Sequence, residues 1–261
     1  MVSGKQRRMR RLLGEDGKTF LVAVDHSVTT GTVGGLSDMT SVLRSVISSG
    51  ADGVVTHRGS AVHSMPAQRQ TALIVHLSGN TVLSHGTELK TRVCDPEAAV
   101  AIGADAVSVH VTLGGGSQED RAALADLGQV ALSCDRLGLP LLVMTYVRTA
   151  QRSRGRAVAH AARVAAELGA DIVKAAHPGE EHLADLAADI CVPVVIAGGE
   201  AADGSWEDFL DSAKNAMGAG LAGLCVGRRV FGSPHPARAA AELRAVVHGE
   251  DLADLRAGHA G

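Results

Sequence analysis

The chain has 261 residues, enough to bury a large hydrophobic core in one α/β domain or in two small ones. Its net charge of −3 and its dispersed arginines give no electrostatic basis for binding nucleic acid, so small molecules are the expected partners. No apolar run approaches the roughly 20 residues that span a bilayer, and the basic first residues turn acidic where a signal peptide would be apolar, so we expect a cytoplasmic protein without membrane contact.

The first element in chain order is a basic segment, MVSGKQRRMRRLLGEDGK, at residues 1–18. Such a segment could be a nucleic-acid arm, but a solvated helix is our interpretation. Continuous apolar runs then predict eight strands, and runs without alternation are typical of parallel strands covered on both faces. The runs are TFLVAVD (19–25), GVVTH (53–57), ALIVHL (72–77), AVSVHV (106–111), LPLLVMTY (139–146), DIVKA (171–175), PVVIAGG (193–199) and AGLCVGR (222–228).

Amphipathic segments such as 117–137 and 156–168 separate the strands, and Gly-Ala-Asp precedes several of them. The glycine of that motif suits the left-handed position that ends a helix. Eight strand–helix units in about 250 residues predict a single-domain (β/α)₈ TIM barrel over residues 1–261. A doubly wound sheet is the alternative, but it would place a glycine-rich turn after the first strand, where this chain has Asp-His-Ser.

Two segments depart from the repeat. Residues 78–93 follow the third strand without an obvious helix, which predicts an inserted loop or small hairpin on the active face of the barrel. The tail from Glu250 onward is polar, and we expect it to be disordered. The cysteines are far apart, so we expect reduced thiols without a metal or redox motif, and Cys191 and Cys225 in apolar runs should be buried.

Active sites of barrels lie at the carboxyl ends of the strands. Ionisable side chains and glycines stand at those ends here, which is unusual for apolar strands. They are Asp25, His26, His57, Arg58, His76, His110, Tyr146, Lys174, Gly198, Gly199, Gly227 and Arg228.

Lys174 is one of only five lysines, and it ends a buried strand. Burial lowers the pKa of a lysine, and a neutral amine attacks carbonyls to form Schiff bases; an ion pair with Asp25 is the structural alternative. Tyr146, the only tyrosine, ends the neighbouring strand and favours the Schiff-base hypothesis as a general acid or base, although it could also simply pack there. Asp25 could orient the lysine, take a proton, bind a substrate hydroxyl or cap a helix.

A Gly-Gly turn follows the seventh strand and a Gly-Arg turn follows the eighth, where barrels commonly bind phosphate. Gly198-Gly199 and Gly227-Arg228 therefore predict a phosphate site in which Arg228 adds a bidentate contact. The alternative is two tight turns with a surface arginine.

Taken in order, AVDHSVTTGTVGGL, HLSGNT, GADAVSVHV, PLLVMTY, GADIVK, VVIAGGE and VGRRVF resemble the archaeal-type class I aldolases. This group contains fructose-bisphosphate aldolase and 2-amino-3,7-dideoxy-D-threo-hept-6-ulosonate synthase, and the resemblance runs from about Phe20 to Pro236. It implies a Schiff base on Lys174, proton transfer by Tyr146, assistance from Asp25 and no metal or other cofactor. It also implies substrate or phosphate contacts from His26, Arg58, His177, Gly198, Gly199, Gly227 and Arg228, and a homo-oligomer, since relatives form large rings, often decamers.

The first stretch looks closer to the heptulosonate synthase branch, which joins a sugar-phosphate-derived donor to aspartate semialdehyde. Related enzymes of secondary metabolism combine dihydroxyacetone phosphate with aspartate semialdehyde to make a 3-amino-4-hydroxybenzoate precursor, and we rank that reaction first. Fructose 1,6-bisphosphate cleavage ranks second and would need a second phosphate site, for which Arg58, Arg148 and Arg152 are candidates. The chain departs from the group in YVRTAQ, in AAHPG and at Glu200, all beside the expected pocket.

Two hypotheses come from other classes. A metal-dependent aldolase could bind zinc through His57, His110 and His177, at alternate strand ends. A barrel that binds a phosphorylated metabolite without turning it over is the other hypothesis, but such a protein has no use for a buried amine.

Overall fold

The structure is a computed structural model, and it describes residues 3–31, 33–68, 70–83, 89–148, 154–199 and 204–258. Eight parallel strands close into a barrel in which each strand pairs with its neighbours in chain order and the last pairs with the first. The single-domain (β/α)₈ prediction is therefore confirmed. The strands are β1 (Thr19–Ala23), β2 (Gly53–Thr56), β3 (Ala72–His76), β4 (Ala106–Leu113), β5 (Leu141–Val147), β6 (Ile172–Ala175), β7 (Val194–Ala197) and β8 (Gly223–Val226).

Helices surround the barrel and cover the outward faces of its strands. The described residues form α1 (Gly4–Leu12), α2 (Ser27–Thr30), α3 (Met39–Ser48), α4 (Arg58–His63), α5 (Pro96–Ala101), α6 (Ser117–Leu137), α7 (Arg154–Glu167), α8 (Leu183–Asp189), α9 (Trp206–Gly218), α10 (Arg228–Phe231), α11 (Pro236–His248) and α12 (Leu252–Gly258). A 3₁₀ turn at Glu180–His182 precedes α8. Among the described residues, no helix is long and apolar enough to cross a membrane.

Alternate residues of each strand face two separate cores. On β1, Phe20 and Val22 belong to the core between strands and helices, while Leu21 and Ala23 belong to the core inside the barrel. Leu12 of α1 also lies in the inner core, so this helix closes the amino-terminal end of the barrel.

The predicted helix is present as α1, in which Arg7, Arg10 and Arg11 are exposed while two other basic residues contact the barrel. Lys5 Nζ lies 2.6 Å from Asp135 and 2.9 Å from Asp171, and Arg8 donates to the carbonyl oxygen of Gly138. The basic charges thus neutralise acidic groups at the end of the barrel that is opposite the expected active site.

The repeated Gly-Ala-Asp motif is structural. The aspartate that precedes an even-numbered strand accepts a hydrogen bond from a backbone N–H at the start of the preceding strand, which fixes the two strands in register. Asp52 accepts from Phe20 at 2.6 Å, Asp105 from Leu73 at 3.0 Å and Asp171 from Leu141 at 2.9 Å.

The segment after β3 forms the small hairpin that the sequence predicts. Ser78–Gly79 pairs antiparallel with Thr91–Arg92, and residues 84–88 between them lie outside the described part. The hydroxyl of Ser78 accepts from the backbone N–H of His110 at 3.0 Å, so the hairpin is attached to β4 at the mouth of the barrel.

Two expectations are wrong. Leu252–Gly258 form helix α12 in place of a disordered tail, and Arg256 holds this helix to Glu242 and Glu207 at 3.0 and 2.9 Å. Cys191 is exposed because it stands in the turn before β7 rather than within the strand, whereas Cys225 is buried as expected.

Candidate active site

Lys174 and Tyr146 project from neighbouring strands on the same side of the barrel wall. Lys174 on β6 pairs with Met144 on β5, so Tyr146 lies two residues nearer the mouth on the same face of β5. Lys174 is 7% exposed and Tyr146 is 40% exposed. The amine is therefore at the bottom of the site, and the phenol is at its rim.

Asp25 follows β1 and is buried between two histidines. Its carboxylate oxygens lie 3.5 Å from His26 Nδ1 and 3.6 Å from His76 Nε2, and His76 Nδ1 is hydrogen-bonded to Ser108. His26, rather than Asp25, is the N-cap residue of α2, and no side-chain capping hydrogen bond is formed there. Asp25 is therefore not a helix cap. Its position favours a role inside the site.

The groups around Asp25 favour its charged form. Burial would raise the pKa of Asp25, but His76, His26 and Lys174 around it hold that pKa well below its usual range. Burial also lowers the pKa of His76 to about 3 and that of His26 to about 4, so both rings are neutral at pH 7. Lys174 is thus the group among these three that is positively charged at neutral pH.

The surroundings of Lys174 favour its ammonium form. Burial disfavours its charge, but Cys225, Tyr146 and Asp25 outweigh burial and raise the pKa of Lys174 above its ordinary value. Burial raises the pKa of the Cys225 thiol, so Asp25 is the neighbouring anion at neutral pH. The net shift is opposite to the one that burial alone would cause, so the lysine must lose a proton before it attacks a carbonyl.

This pairing predicts opposite effects of Asp25→Asn on two steps. Without the carboxylate the pKa of Lys174 falls, so the pH midpoint of adduct formation with a ketose phosphate should move about one unit or more toward acid. Turnover should nevertheless fall, by roughly tenfold or more, because the carboxylate that orients Lys174 is lost. Borohydride trapping and steady-state rates between pH 5 and 10 measure both, and an unchanged midpoint would refute the electrostatic coupling.

The ring of Tyr146 is held by a histidine. His110 on β4 stacks on it with ring centroids 4.2 Å apart and planes 11° apart, and Thr112 fixes the imidazole at 2.7 Å. Burial lowers the pKa of His110 to about 2, so the stacked ring stays neutral. The stack leaves the tyrosine ring little freedom beside Lys174.

The predicted phosphate residues lie on the loops after β7 and β8. Gly227 is the N-cap of α10, and a Cβ atom there would lie 2.5 Å from His26 Cε1 and 2.6 Å from the carbonyl oxygen of Ala23. Arg228 is half-buried, and its charge contributes to the lowered pKa of His26. Arg228 and His26 therefore lie on the same side of the mouth.

A second arginine, Arg229, orders the glycine loop after β7. It donates from Nε to the carbonyl oxygen of Gly198 at 3.2 Å, and its guanidinium lies 4.6 Å from the ring centroid of Phe209. Gly199 has a φ of 66°, a conformation that favours glycine. Sequence reasoning did not single out Arg229, because Arg228 next to it was sufficient to account for the predicted phosphate contact.

Gly227→Ala should damage both stability and substrate binding. The added methyl group would clash with the backbone of Ala23 and with the ring of His26. We expect this overpacking to reduce the free energy of unfolding by about 1–3 kcal/mol and to lower the melting temperature by several degrees. KM for a ketose phosphate should rise roughly tenfold, since the mouth between His26 and Arg228 must open.

The matched control is Gly128→Ala on α6, where a Cβ atom meets nothing within 4 Å. That substitution should leave KM unchanged and keep or raise the melting temperature. Equal behaviour of the two variants would contradict the steric argument.

Arg58 and His177 follow strands β2 and β6, respectively. Arg58 begins α4 and is exposed. His177 Nε2 is 3.1 Å from the Ser212 hydroxyl and 3.3 Å from Glu180. His177 and Gly198–Gly199 also line a cavity of about 670 Å³, which reaches α9 and does not include Lys174 among its walls.

The zinc hypothesis finds no support in the described ranges, where no three His, Cys, Asp or Glu side chains are grouped to hold a metal. Arg148, a candidate for a second phosphate site, lies 2.8 Å from Glu119. Arg152 and Glu200 lie outside the described residues.

Two side chains of the site were missed by sequence reasoning. Cys225 on β8 interacts with Lys174 from inside the barrel, although its apolar run gave no sign of more than a core position. Lys90, beside the hairpin strand Thr91–Arg92, acts to lower the pKa of Asp25 and of His76. Its signal was its rarity, because the chain has only five lysines.

A closed (β/α)₈ barrel with a buried lysine, a tyrosine and a carboxylate at the carboxyl ends of its strands is the arrangement of a class I aldolase. The model of the DeoC/LacD family aldolases matches residues 19–233, and the chain belongs to this family.

Relatives cover nearly the whole chain. It is 38% identical over 247 residues to 2-amino-3,7-dideoxy-D-threo-hept-6-ulosonate synthase 1 of Archaeoglobus fulgidus, covering 94% of this chain and 92% of the relative. It is also 38% identical over 247 residues to 2-amino-4,5-dihydroxy-6-oxo-7-(phosphonooxy)heptanoate synthase of Streptomyces griseus, covering 92% and 89%.

A solved structure resembles the fold closely. It is an archaeal fructose-1,6-bisphosphate aldolase with its catalytic lysine covalently bound to the carbinolamine intermediate of its substrate. The TM-score is 0.83 at 28% identity, with 94% of this chain and 100% of that chain covered.

Proposed function

We propose that this aldolase condenses a ketose phosphate donor, dihydroxyacetone phosphate or a related sugar phosphate, with L-aspartate 4-semialdehyde through a Schiff base on Lys174. The product would enter aminohydroxybenzoate-type or related biosynthesis in secondary metabolism. The observation that carries the proposal is the placement of Lys174, Tyr146 and Asp25 in one site at the carboxyl end of the barrel.

The first half of the reaction activates the donor. Lys174 first passes its proton to a water molecule, its Nζ lone pair then attacks the donor carbonyl carbon, and transfer of one N–H proton to the carbonyl oxygen gives a carbinolamine. Tyr146 donates its hydroxyl proton to the departing oxygen, so water leaves and an iminium and a phenolate remain. The phenolate then removes a proton from the adjacent carbon, and the electron pair of that C–H bond forms the enamine.

The second half makes the new bond. The enamine carbon attacks the aldehyde carbon, and Tyr146 gives its proton to the aldehyde oxygen as the iminium reforms. Water adds to the iminium with loss of a proton to the phenolate, and collapse of this carbinolamine releases the product and the amine. Asp25 lies where its charge stabilises the ammonium form of Lys174 between cycles.

We assign the donor phosphate to the loops after β7 and β8. Gly198, Gly199 and Gly227 bring backbone close to the mouth, and Arg228 supplies a positive charge there. His26 borders the same side through its approach to Gly227. Arg58 and His177 remain predictions for the outer part of the substrate.

The choice of acceptor rests on the product named for the Streptomyces griseus relative. An aldol bond in that product joins its two adjacent hydroxylated carbons, and breaking it gives dihydroxyacetone phosphate and aspartate semialdehyde. Cleavage of fructose 1,6-bisphosphate is the second candidate, because the fold matches an archaeal aldolase of that substrate.

Product analysis separates the two candidates. The purified protein is incubated with dihydroxyacetone phosphate and aspartate semialdehyde, or with fructose 1,6-bisphosphate alone, and products are followed by mass spectrometry. We expect a condensation product with the summed mass of both substrates, at a rate at least about a hundredfold above bisphosphate cleavage. Faster cleavage of the bisphosphate would select the second candidate.

A further inference from the structure

Lys90 is a cation at the mouth of the barrel. Each of the other four lysines has a direct partner: Lys5 binds Asp135 and Asp171, Lys18 donates to the carbonyl oxygen of Leu221, Lys174 is hydrogen-bonded to Cys225, and Lys214 binds Asp211. No hydrogen bond or ion pair joins the ammonium of Lys90 to any residue in the described ranges. A largely desolvated cation without a partner is costly unless a ligand supplies the missing anion.

Lys90 belongs to the same site as Lys174. It immediately precedes the hairpin strand Thr91–Arg92, and its side chain is half-buried. Burial lowers the pKa of Lys90, Asp25 opposes this effect, and Lys174 adds to it, so the three charges act on one another. The charge of Lys90 also lowers the pKa of His110, after burial the largest influence on that ring.

A cavity of about 370 Å³ lies between the hairpin strand, β4 and α6. Its walls include Lys90, His110 and Thr112, and the ring of His110 stacks on Tyr146. An acceptor whose charged end lies in this cavity beside Lys90 reaches the ring of His110, which stacks on Tyr146. Volumes of this size suit small molecules.

Lys90 is on the opposite side of the mouth from the donor's phosphate loops. The hairpin joins β3 to β4, whereas the glycine loops follow β7 and β8, and these strand pairs face each other across the closed barrel. Lys174 on β6 and Tyr146 on β5 lie between them along the wall. A group bound by Lys90 thus belongs to the acceptor rather than to the donor.

We propose that Lys90 binds the anionic group of the aldehyde acceptor and selects acceptors that carry one. This inference rests on the proposed function. Glu119 and Asp126 also line the cavity and lie 2.8 Å from Arg148 and 3.3 Å from Arg92, respectively. The acidic side chains of this wall repel the doubly charged phosphate of a sugar aldehyde. An amino-acid aldehyde suits the wall better, because its single carboxylate is accompanied by an ammonium group.

The test compares acceptors of different charge in Lys90→Met. The acceptors are aspartate semialdehyde, glyceraldehyde 3-phosphate and uncharged glyceraldehyde, each with dihydroxyacetone phosphate as donor. We expect kcat/KM for aspartate semialdehyde to fall roughly 10- to 100-fold relative to that for glyceraldehyde, mainly through KM. Lys90→Arg should recover part of this loss, because it keeps the charge.

Lys214→Met is the matched control, since Lys214 is exposed and pairs only with Asp211 on α9. It should leave the acceptor preference unchanged. A loss in Lys90→Met that is confined to aspartate semialdehyde assigns a carboxylate site, and a loss confined to glyceraldehyde 3-phosphate assigns a phosphate site. Equal losses with charged and uncharged aldehydes would overturn the inference.

Donor trapping keeps this outcome separate from the proposed function. Borohydride reduction with dihydroxyacetone phosphate alone should still label Lys174 in Lys90→Met. If the label is retained while acceptor preference is unchanged, only the assignment of Lys90 is wrong. If the wild-type chain is not labelled at Lys174, the proposed function is wrong as well.

Discussion

Lys174→Met is expected to lower kcat by about a thousandfold or more and to abolish the reducible adduct with dihydroxyacetone phosphate. The reason is covalent: without the amine no iminium forms, and the carbon next to the donor carbonyl is not acidic enough to lose its proton. Steady-state rates and intact mass after borohydride reduction measure the two effects.

The variant should fold, because methionine has a similar length and Lys174 is surrounded by Cys225 and Met144 inside the barrel. Removing a buried ammonium also leaves Asp25 without its neutralising charge, so some loss of stability is expected. Circular dichroism and the melting temperature check this separately. A folded variant that retains more than about a tenth of wild-type turnover would contradict a Schiff-base role.

Tyr146→Phe should lower kcat by roughly 100- to 10,000-fold, with a much smaller change in KM. The substitution removes only the hydroxyl, and the phenyl ring can keep its stack on His110, so binding geometry is preserved. Exchange of the donor's C–H proton in deuterium oxide isolates the step, since it needs the iminium and the base but no aldehyde.

Exchange should fall in parallel with turnover if the tyrosine hydroxyl carries the proton. A variant that exchanges the donor proton at the wild-type rate but turns over slowly would place Tyr146 in acceptor chemistry alone. Normal exchange together with normal turnover would mean that another group, with Asp25 the nearest candidate, does this work.

Much of the scaffold follows from local patterns in the chain. Continuous apolar runs define all eight strands because both faces of each strand are covered, and ionisable residues at the ends of these runs lead directly to Asp25, Tyr146 and Lys174. The hairpin after β3 is recognisable because no helical pattern follows that strand.

The remaining features depend on contacts between distant parts of the chain. The stack of His110 on Tyr146 and the approach of Lys90 to the site arise from the barrel's closure and the return of a hairpin, neither of which leaves a periodic signal. The raised pKa of Lys174 reflects burial opposed by Cys225, Tyr146 and Asp25, so knowing that the lysine is buried was not enough.

Peptide mapping of the borohydride-reduced adduct tests the central claim most directly. The wild-type chain is reduced in the presence of dihydroxyacetone phosphate and digested, and the modified lysine is identified by tandem mass spectrometry. The account predicts one modified residue, Lys174, and no modification at Lys90, the other lysine of the site. A label on Lys90, or no label in a sample that still catalyses condensation, would contradict it.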